Sequence, residues 1–173
     1  MADSIITKRA LANALKELMQ TIPFAKISVA DICEKCDMNR KSFYYHFQDK
    51  YELMNWIFDM EFIELIDRGN ADQSIEEMTA LFRILYDNRA FYHNALSVQG
   101  QNSLGEHIRD IALPILQSKL QEALSKDDSG FYVEFFLDAL LGAIVSWIKD
   151  ENCEPPEKFI PHFFPCILST AKY

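Results

Sequence analysis

Asn39, Arg40 and Lys41 stand side by side, and Tyr44, Tyr45 and His46 follow within about two helical turns. Arginine and lysine bind the acceptors of guanine, asparagine pairs with the edge of adenine, and tyrosine and histidine can donate to phosphate oxygens. A helix that enters the major groove reads base edges from its first turn, which is where the first three residues would stand. Two flanking positions add to this set. Ser28 offers a hydroxyl and free amides at a helix start, and Lys50 offers charge from a later helix, so both are expected to grip phosphate. The bland alternative is a small helical hairpin with a wet aromatic edge. Two adjacent exposed tyrosines followed by histidine are an odd surface for that purpose.

These side chains need three local elements to place them. Ser28 and Asp31 have capping-box spacing and start one short helix, with Val29, Ile32 and Cys33 on its inner face. Asp37-Met38 forms a turn, and Asn39 is an N-cap for a second short helix. On that helix Phe43 and Phe47 lie four apart and face the core, which turns Lys41, Tyr44 and Tyr45 outward. Asp49 and Glu52 repeat the capping spacing and start the next helix.

The run SVADICEKCDMNRKSFYYHFQDKYEL, from Ser28 to Leu53, resembles the DNA-binding domain of TetR-type transcriptional regulators. The resemblance extends over roughly Thr7 to Asp67. One departure concerns Lys41, where many members carry a small residue, often glycine. A lysine there adds charge and reach, so no other member's operator can be carried over. The second half resembles, more weakly, a subgroup that includes regulators of dihydroxyacetone kinase operons, through Trp56-Ile57 and the run GAIVSWIKDENCEPP from Gly142 to Pro156. The resemblance implies a homodimeric repressor on a palindromic operator, released or retuned by a small-molecule effector. The alternative it implies is a ligand- or partner-dependent activator or coactivator of the dihydroxyacetone kinase operon regulator type.

The chain has 173 residues, 49% of them apolar, with only five glycines and six prolines. That is enough apolar content for a sizeable core, and long helical patterns with few turn clusters indicate an all-α fold. The net charge of −9 is unevenly spread: residues 1–50 hold eight Lys+Arg against six Asp+Glu, and residues 51–173 hold nine against 20. Basic character therefore lies on the segment with the binding motif.

The periodicity predicts helices over about 4–21, 28–36, 39–46, 50–68, 74–87, 90–97, 104–125, 131–149 and 156–171. The first three form a helix-turn-helix unit, and the long fourth links it to a second helical region. The division expected is 1–68 for DNA binding and 69–173 for effector binding and dimerisation. Gly69-Asn70 should end the fourth helix, Pro114 should kink the seventh, Lys126–Gly130 should be a turn, and Pro161 and Pro165 should interrupt or kink the last.

The helix over 131–149 keeps only a narrow polar stripe and needs cover on nearly every side. A two-fold bundle with a second copy supplies it, with Phe135, Ala139, Gly142, Ala143, Trp147, Phe163 and Ile167 at the interface. Aromatic density marks an effector pocket lined by Phe62, Phe82, Tyr86, Phe91, Tyr92, Phe131 and Phe135, with His93 and His107 as polar members. Plain core packing is the competing reading for each of them.

No nucleophile elbow, phosphate-binding loop, dinucleotide fingerprint or zinc-protease motif occurs, so no enzyme activity, metal or cofactor is expected. Cys33 and Cys36 form an isolated C-x-x-C, read as packing rather than as a zinc or redox site. No apolar run reaches membrane length and no secretory leader is visible, so a cytoplasmic location is expected, with no membrane partner.

Overall fold

The computed structural model describes residues 2–66, 75–121 and 129–169, and their regular structure is entirely helical. An N-terminal helix-turn-helix bundle is linked through a long helix to a C-terminal helical region. The expected helix end at Arg68, the stop at Gly69-Asn70, the cap at Ser74 and the ends at Ser125 and Ala171 lie outside the described residues. The described residues form two compact units, one of 2–66 with 90–104 and one of 75–89 with 105–121 and 129–169.

In the first unit, α1 is Ala2–Leu18, α2 is Val29–Lys35, α3 is Arg40–His46 and α4 is Lys50–Ile66. Helix α1 stops three residues short of the expected Thr21. A turn and a 3-10 helix, Phe24–Lys26, replace its last part and carry the chain to α2. Pro23 explains the change, because it lacks the N–H that a continuing helix needs. The core is built from Leu11, Leu15 and Met19 of α1, Phe24 and Ile27 of the connection, Ile32 and Cys33 of α2, Phe43 and Phe47 of the α3 region, and Leu53, Met54 and Ile57 of α4. All of these are at most 3% exposed, and burying each large side chain is worth about 1.5–3 kcal/mol. Spacing predicts Leu53, Trp56, Ile57, Met60 and Ile63 or Ile66 on the apolar side of α4; Leu53 and Ile57 are buried together with Met54, Phe58 and Phe62, Trp56 and Met60 are half-buried, and the side chains of Ile63 and Ile66 lie outside the described residues. That helix is apolar on several sides, so spacing alone placed its inner face only in part.

Helix α6, Arg89–Ala95, lies beyond the expected division at 68/69 yet packs in the first unit from Ala90 onward. Its Phe91, Tyr92 and Ala95 have no exposed surface. The Tyr92 hydroxyl donates to Glu61 of α4, which also takes an ion pair from Lys16 of α1. Burial, then the Glu61 carboxylate, push the Tyr92 phenol well above its ordinary range, so this hydrogen bond keeps its proton on tyrosine.

In the second unit, α5 (Ile75–Asp87) packs on α9 (Pro156–Ser169). Phe82 is the centre, with the rings of Trp147, Phe159 and Phe163 at 5.4, 5.7 and 5.3 Å. Arg83 pairs with Glu157. Helix α7 (Leu104–Gln121) holds α8 (Ser129–Lys149) through Arg109, which pairs with both Glu134 and Asp138. Arg89 closes the end of α8 by donating to the carbonyls of Ile148 (2.9 Å) and Asp150. Helix α8 starts at Ser129, inside the segment expected to be a turn. Helix α9 runs through Pro161 and Pro165 without interruption. Both prolines are exposed, so the carbonyls they leave unpaired can take water.

The turn between α2 and α3 fixes the angle of the helix pair. The Asp37 N–H donates to Glu34 O (3.2 Å) and the Met38 N–H to Cys33 O (2.8 Å), the paired bonds of a Schellman ending. Asp37 sits at φ 53, a left-handed conformation that glycine adopts without a Cβ penalty. Asp37→Gly should therefore leave the fold unchanged and raise stability by up to about 1 kcal/mol, a melting shift of about 2–4 °C. Calorimetry of the two proteins checks this, and a lowered melting temperature would refute the strain.

Candidate nucleic-acid interface

Helix α3 is held from behind and bare in front. Phe43 and Phe47 are 0% and 2% exposed, while Tyr44 and Tyr45 are 58% and 82% exposed on the opposite side. The Asn39 side chain caps the helix, its Oδ1 accepting from the Ser42 N–H at 2.8 Å and the Ser42 hydroxyl at 3.3 Å. Its acceptor is thereby engaged, and its amide Nδ2 is the atom left for a base or phosphate. Arg40 and Lys41 are exposed and close no ion pair among the described residues. His46 is half-buried, with its ring edge-on to Tyr45 at 4.9 Å. Asn39, Lys41, Ser42, Tyr45 and His46 line an open depression of about 300 Å³ together with Thr7 of α1. The structure thus brings six of the eight expected contact residues, Asn39, Arg40, Lys41, Tyr44, Tyr45 and His46, around the start and outer face of one short helix. Thr7 was invisible to sequence reasoning, because nothing local places α1 beside α3.

The other two expected phosphate contacts stand differently. Ser28 caps α2 in a closed reciprocal box: its Oγ accepts from the Asp31 N–H (3.2 Å) and donates to Asp31 Oδ2 (2.8 Å), and its N–H donates to the same carboxylate at 2.7 Å. Its hydroxyl hydrogen is engaged, and a carboxylate already occupies the anion position at this helix start. The backbone bond from Ser28, then its hydroxyl, hold the Asp31 carboxyl below its ordinary range.

Lys50 points inward. Its Nζ donates to the carbonyls of Phe24 (2.8 Å), Ile27 (2.7 Å) and Ala25 (3.4 Å), and lies 4.5 Å from the centre of the Phe24 ring. An ammonium has three donors, and all three are met by backbone. Partial burial draws its pKa below the ordinary lysine range, with Asp31 opposing. Lys50 therefore holds the connection ahead of α2, a duty that spacing alone did not reveal.

The expected pocket residues are divided between the two units. Phe62, Phe91 and Tyr92 belong to the first unit and His93 is exposed there; Phe82, Tyr86, His107, Phe131 and Phe135 belong to the second. Phe62 stacks on Phe58 at 4.3 Å, and Phe91 and Tyr92 have no exposed surface, so these aromatics fill a core. Phe131 and Phe135 stack on one another and are 75% and 56% exposed. Of the expected dimer residues, Phe135, Ala139 and Gly142 are exposed and Ala143 is half-buried. Trp147 and Phe163 are buried within the chain itself, Trp147 with its Nε1 donating to Glu154 O at 2.9 Å. The Ile167 side chain lies outside the described residues. Among the described residues no cluster of three or more His, Cys, Asp or Glu side chains is placed for a metal ion. Cys33 is buried and Cys36 half-buried, and burial pushes both thiols up, which suits packing.

Comparison with known proteins bears on the same stretch. Residues 11–56 match the family described as "Bacterial regulatory proteins, tetR family", and residues 72–167 match that described as "Transcriptional regulator C-terminal region". The HTH-type dhaKLM operon transcriptional activator DhaS of Lactococcus lactis subsp. lactis is 42% identical over 94 residues, 53% of this chain. The match spans 50% of that relative's length. A solved structure named dihydroxyacetone kinase operon activator DhaS has a TM-score of 0.64 at 24% identity, covering 96% of this chain and 97% of its own, and shares the fold.

Lys41 and Lys50 should fail in different ways. On a duplex selected by the parent protein from a random pool, Lys41→Ala should cost about 1–3 kcal/mol and relax preference at one position per half-site. Lys50→Met should lower the melting temperature, since losing hydrogen bonds from a charged group costs about 1.5–3 kcal/mol, and should leave the salt dependence of binding unchanged. Titrations at several salt concentrations, beside melting curves, check both. A Lys50→Met protein with parental melting and a salt slope reduced by about one charge per site would return Lys50 to the phosphate set.

Proposed function

The chain belongs to the tetR family of bacterial regulatory proteins, and we propose that this DNA-binding transcriptional regulator acts as a homodimer that reads a palindromic operator with α3. The observation that carries the reading is the outer face of α3: two exposed cations and two exposed tyrosines stand on a helix whose other face is anchored by Phe43 and Phe47. In this reading Asn39, Arg40 and Lys41 reach base edges, and Tyr44, Tyr45 and His46 bind phosphate. Residues 1–68 serve DNA, with 90–104 packed into the same unit, and the rest of 69–173 receives the signal and the second copy. Ser28 and Lys50 shape the reading head instead of touching DNA. A cytoplasmic location follows from the DNA partner.

Dimerisation rests on α8. Phe131, Phe135, Ala139 and Gly142 recur at helical spacing and are all exposed, forming one apolar stripe. Nothing lies within 4 Å of a Cβ built on Gly142, so a partner helix has room to approach. By length and composition alone Gly130–Lys149 also qualifies as a membrane span, with a mean hydropathy of 1.7. The ion pairs of Glu134 and Asp138 with Arg109 favour the dimer, because carboxylates inside a bilayer are costly.

The signal proposed is a small, mostly apolar or aromatic molecule bound in the second half of the chain, where Tyr86 and His107 are the half-exposed polar members of the expected set. Repression is the simplest sign, since a dimer seated on an operator blocks other proteins from it. Activation is the second reading, supported by the name of the relative that is 42% identical over half its length. A reporter placed beside the selected duplex decides: deleting the regulator raises expression under the first reading and lowers it under the second.

Two outcomes test the assembly and the ligand. Phe135→Glu should give a monomer by light scattering at micromolar concentration, with melting of the chain itself little changed, because the residue is 56% exposed before pairing. The same variant should lose the cooperative two-half-site binding of the parent. A parent protein that is already monomeric would end the dimer reading. A true effector at a hundredfold excess over its Kd should add about 2.7 kcal/mol of stability, read as a raised melting temperature. A broad screen of apolar and aromatic metabolites that gives no shift would remove the small-molecule signal.

A further inference from the structure

We infer that Asn94, on α6 and far from the outer face of α3 in sequence, is a positioning residue for DNA reading, because its amide latches the connection that sets α2. The inference rests on α3 being the reading helix. Its side chain makes three bonds to backbone. Nδ2 donates to Ile22 O at 2.8 Å and Met19 O at 3.2 Å, and Oδ1 accepts from the Phe24 N–H at 2.9 Å. The three partners lie 70 to 75 residues away and belong to the single turn that leaves α1. Two donors and one acceptor in this arrangement fix the orientation of the amide. Aspartate would set an oxygen against two carbonyls, and glutamine is longer by one methylene.

The turn cannot supply these bonds for itself. It ends one helix and meets Pro23, which has no N–H, so its carbonyls and the Phe24 amide need partners from elsewhere. Phe24 is 1% exposed, so water is a poor substitute at this point. Lys50 holds the next carbonyls, those of Phe24, Ala25 and Ile27. Asn94 and Lys50 together therefore pin residues 19–27, and residue 28 is the cap of α2. Helix α2 packs on α1 and α3, so its direction sets that of the reading helix.

Helix α6 is rigid enough to act as the latch. Phe91, Tyr92 and Ala95 bury it, and the Tyr92–Glu61–Lys16 chain ties it to α4 and α1. Residue 94 falls inside the match to the C-terminal region, 72–167, yet its hydrogen bonds complete the N-terminal bundle. The reading head is thus assembled from two separated parts of the sequence, and a change in α6 changes the seat of α2 without touching DNA.

The test uses the full chain as parent, Asn94→Ala, Asn94→Asp, and Gln99→Ala as an exposed side chain of the same unit. Each is titrated with a duplex selected by the parent from a random pool and with an unselected duplex, well below its own melting temperature. Loss of the latch should weaken binding to the selected duplex about tenfold or more, as leaving buried polar groups unpaired implies, and hold binding to unselected DNA within about threefold. Gln99→Ala should match the parent. A role in stability alone would lower the melting temperature and leave discrimination intact, and that result in both Asn94 variants overturns the inference. Amide exchange in the parent gives an independent reading: the Phe24 N–H should exchange slowly, and exchange at the rate of an open loop refutes the latch even if neither variant folds. A parent that selects no duplex would strike the DNA reading itself, while the Phe24 amide would still decide whether the latch exists.

Discussion

Helices α2 and α3 are seven residues each, too short to hold their own shape in water, where isolated helices below roughly 12–15 residues are marginal. Everything the outer face of α3 does therefore depends on packing behind it. Phe43 and Phe47 drive the helix against α1 and α4, and their burial decides which side chains are left facing out. The caps act on top of that constraint. Ser28, Asn39 and the Asp37 turn satisfy the backbone ends, so each short helix starts and stops at one residue and the face does not rotate.

The positive charge of the first 50 residues is less available than its composition suggests. Lys16 is paired with Glu61, Lys35 with Glu17, and Lys50 with three carbonyls; Lys8 lies over the rings of Phe47 and Trp56. These cations build the bundle. Arg40 and Lys41 form no such bond among the described residues, and the field they present is local to the start of α3. An acidic chain can meet DNA this way, because exposed charges more than about 10 Å apart are largely screened at moderate salt. The Lys35–Glu17 pair is itself exposed and adds little stability.

Helix α8 shows how one strongly apolar element can carry both a buried face and a bare one. Val133, Leu137, Trp147 and Ile148 turn inward and are at most 5% exposed, while Phe131, Phe135, Ala139 and Gly142 turn out. The Arg109 bridge to Glu134 and Asp138 lies between these faces and sets the rotation of the helix. The prolines of α9 cost it less than their number suggests, because both lie on the exposed side.

Local features are legible in the spacing of the residues. The all-α class, the cap at Ser28, the turn at Asp37-Met38, the N-cap at Asn39 and the outward set of α3 all follow from spacings of three to five residues, which a helix converts directly into faces. The tasks that join distant segments emerge from the packed fold. Lys50 looked like a phosphate contact until the carbonyls of residues 24–27 were placed around it, and Asn94 carried no sign of its partners 70 to 75 residues earlier. Trp147 and Phe163 had the same apolar character as Phe135, and their burial in the chain rather than on its surface was settled by the α5–α9 packing around Phe82. Periodicity reports that a residue is apolar or polar and which way it faces on its own helix. It does not report what the opposite helix brings to that face.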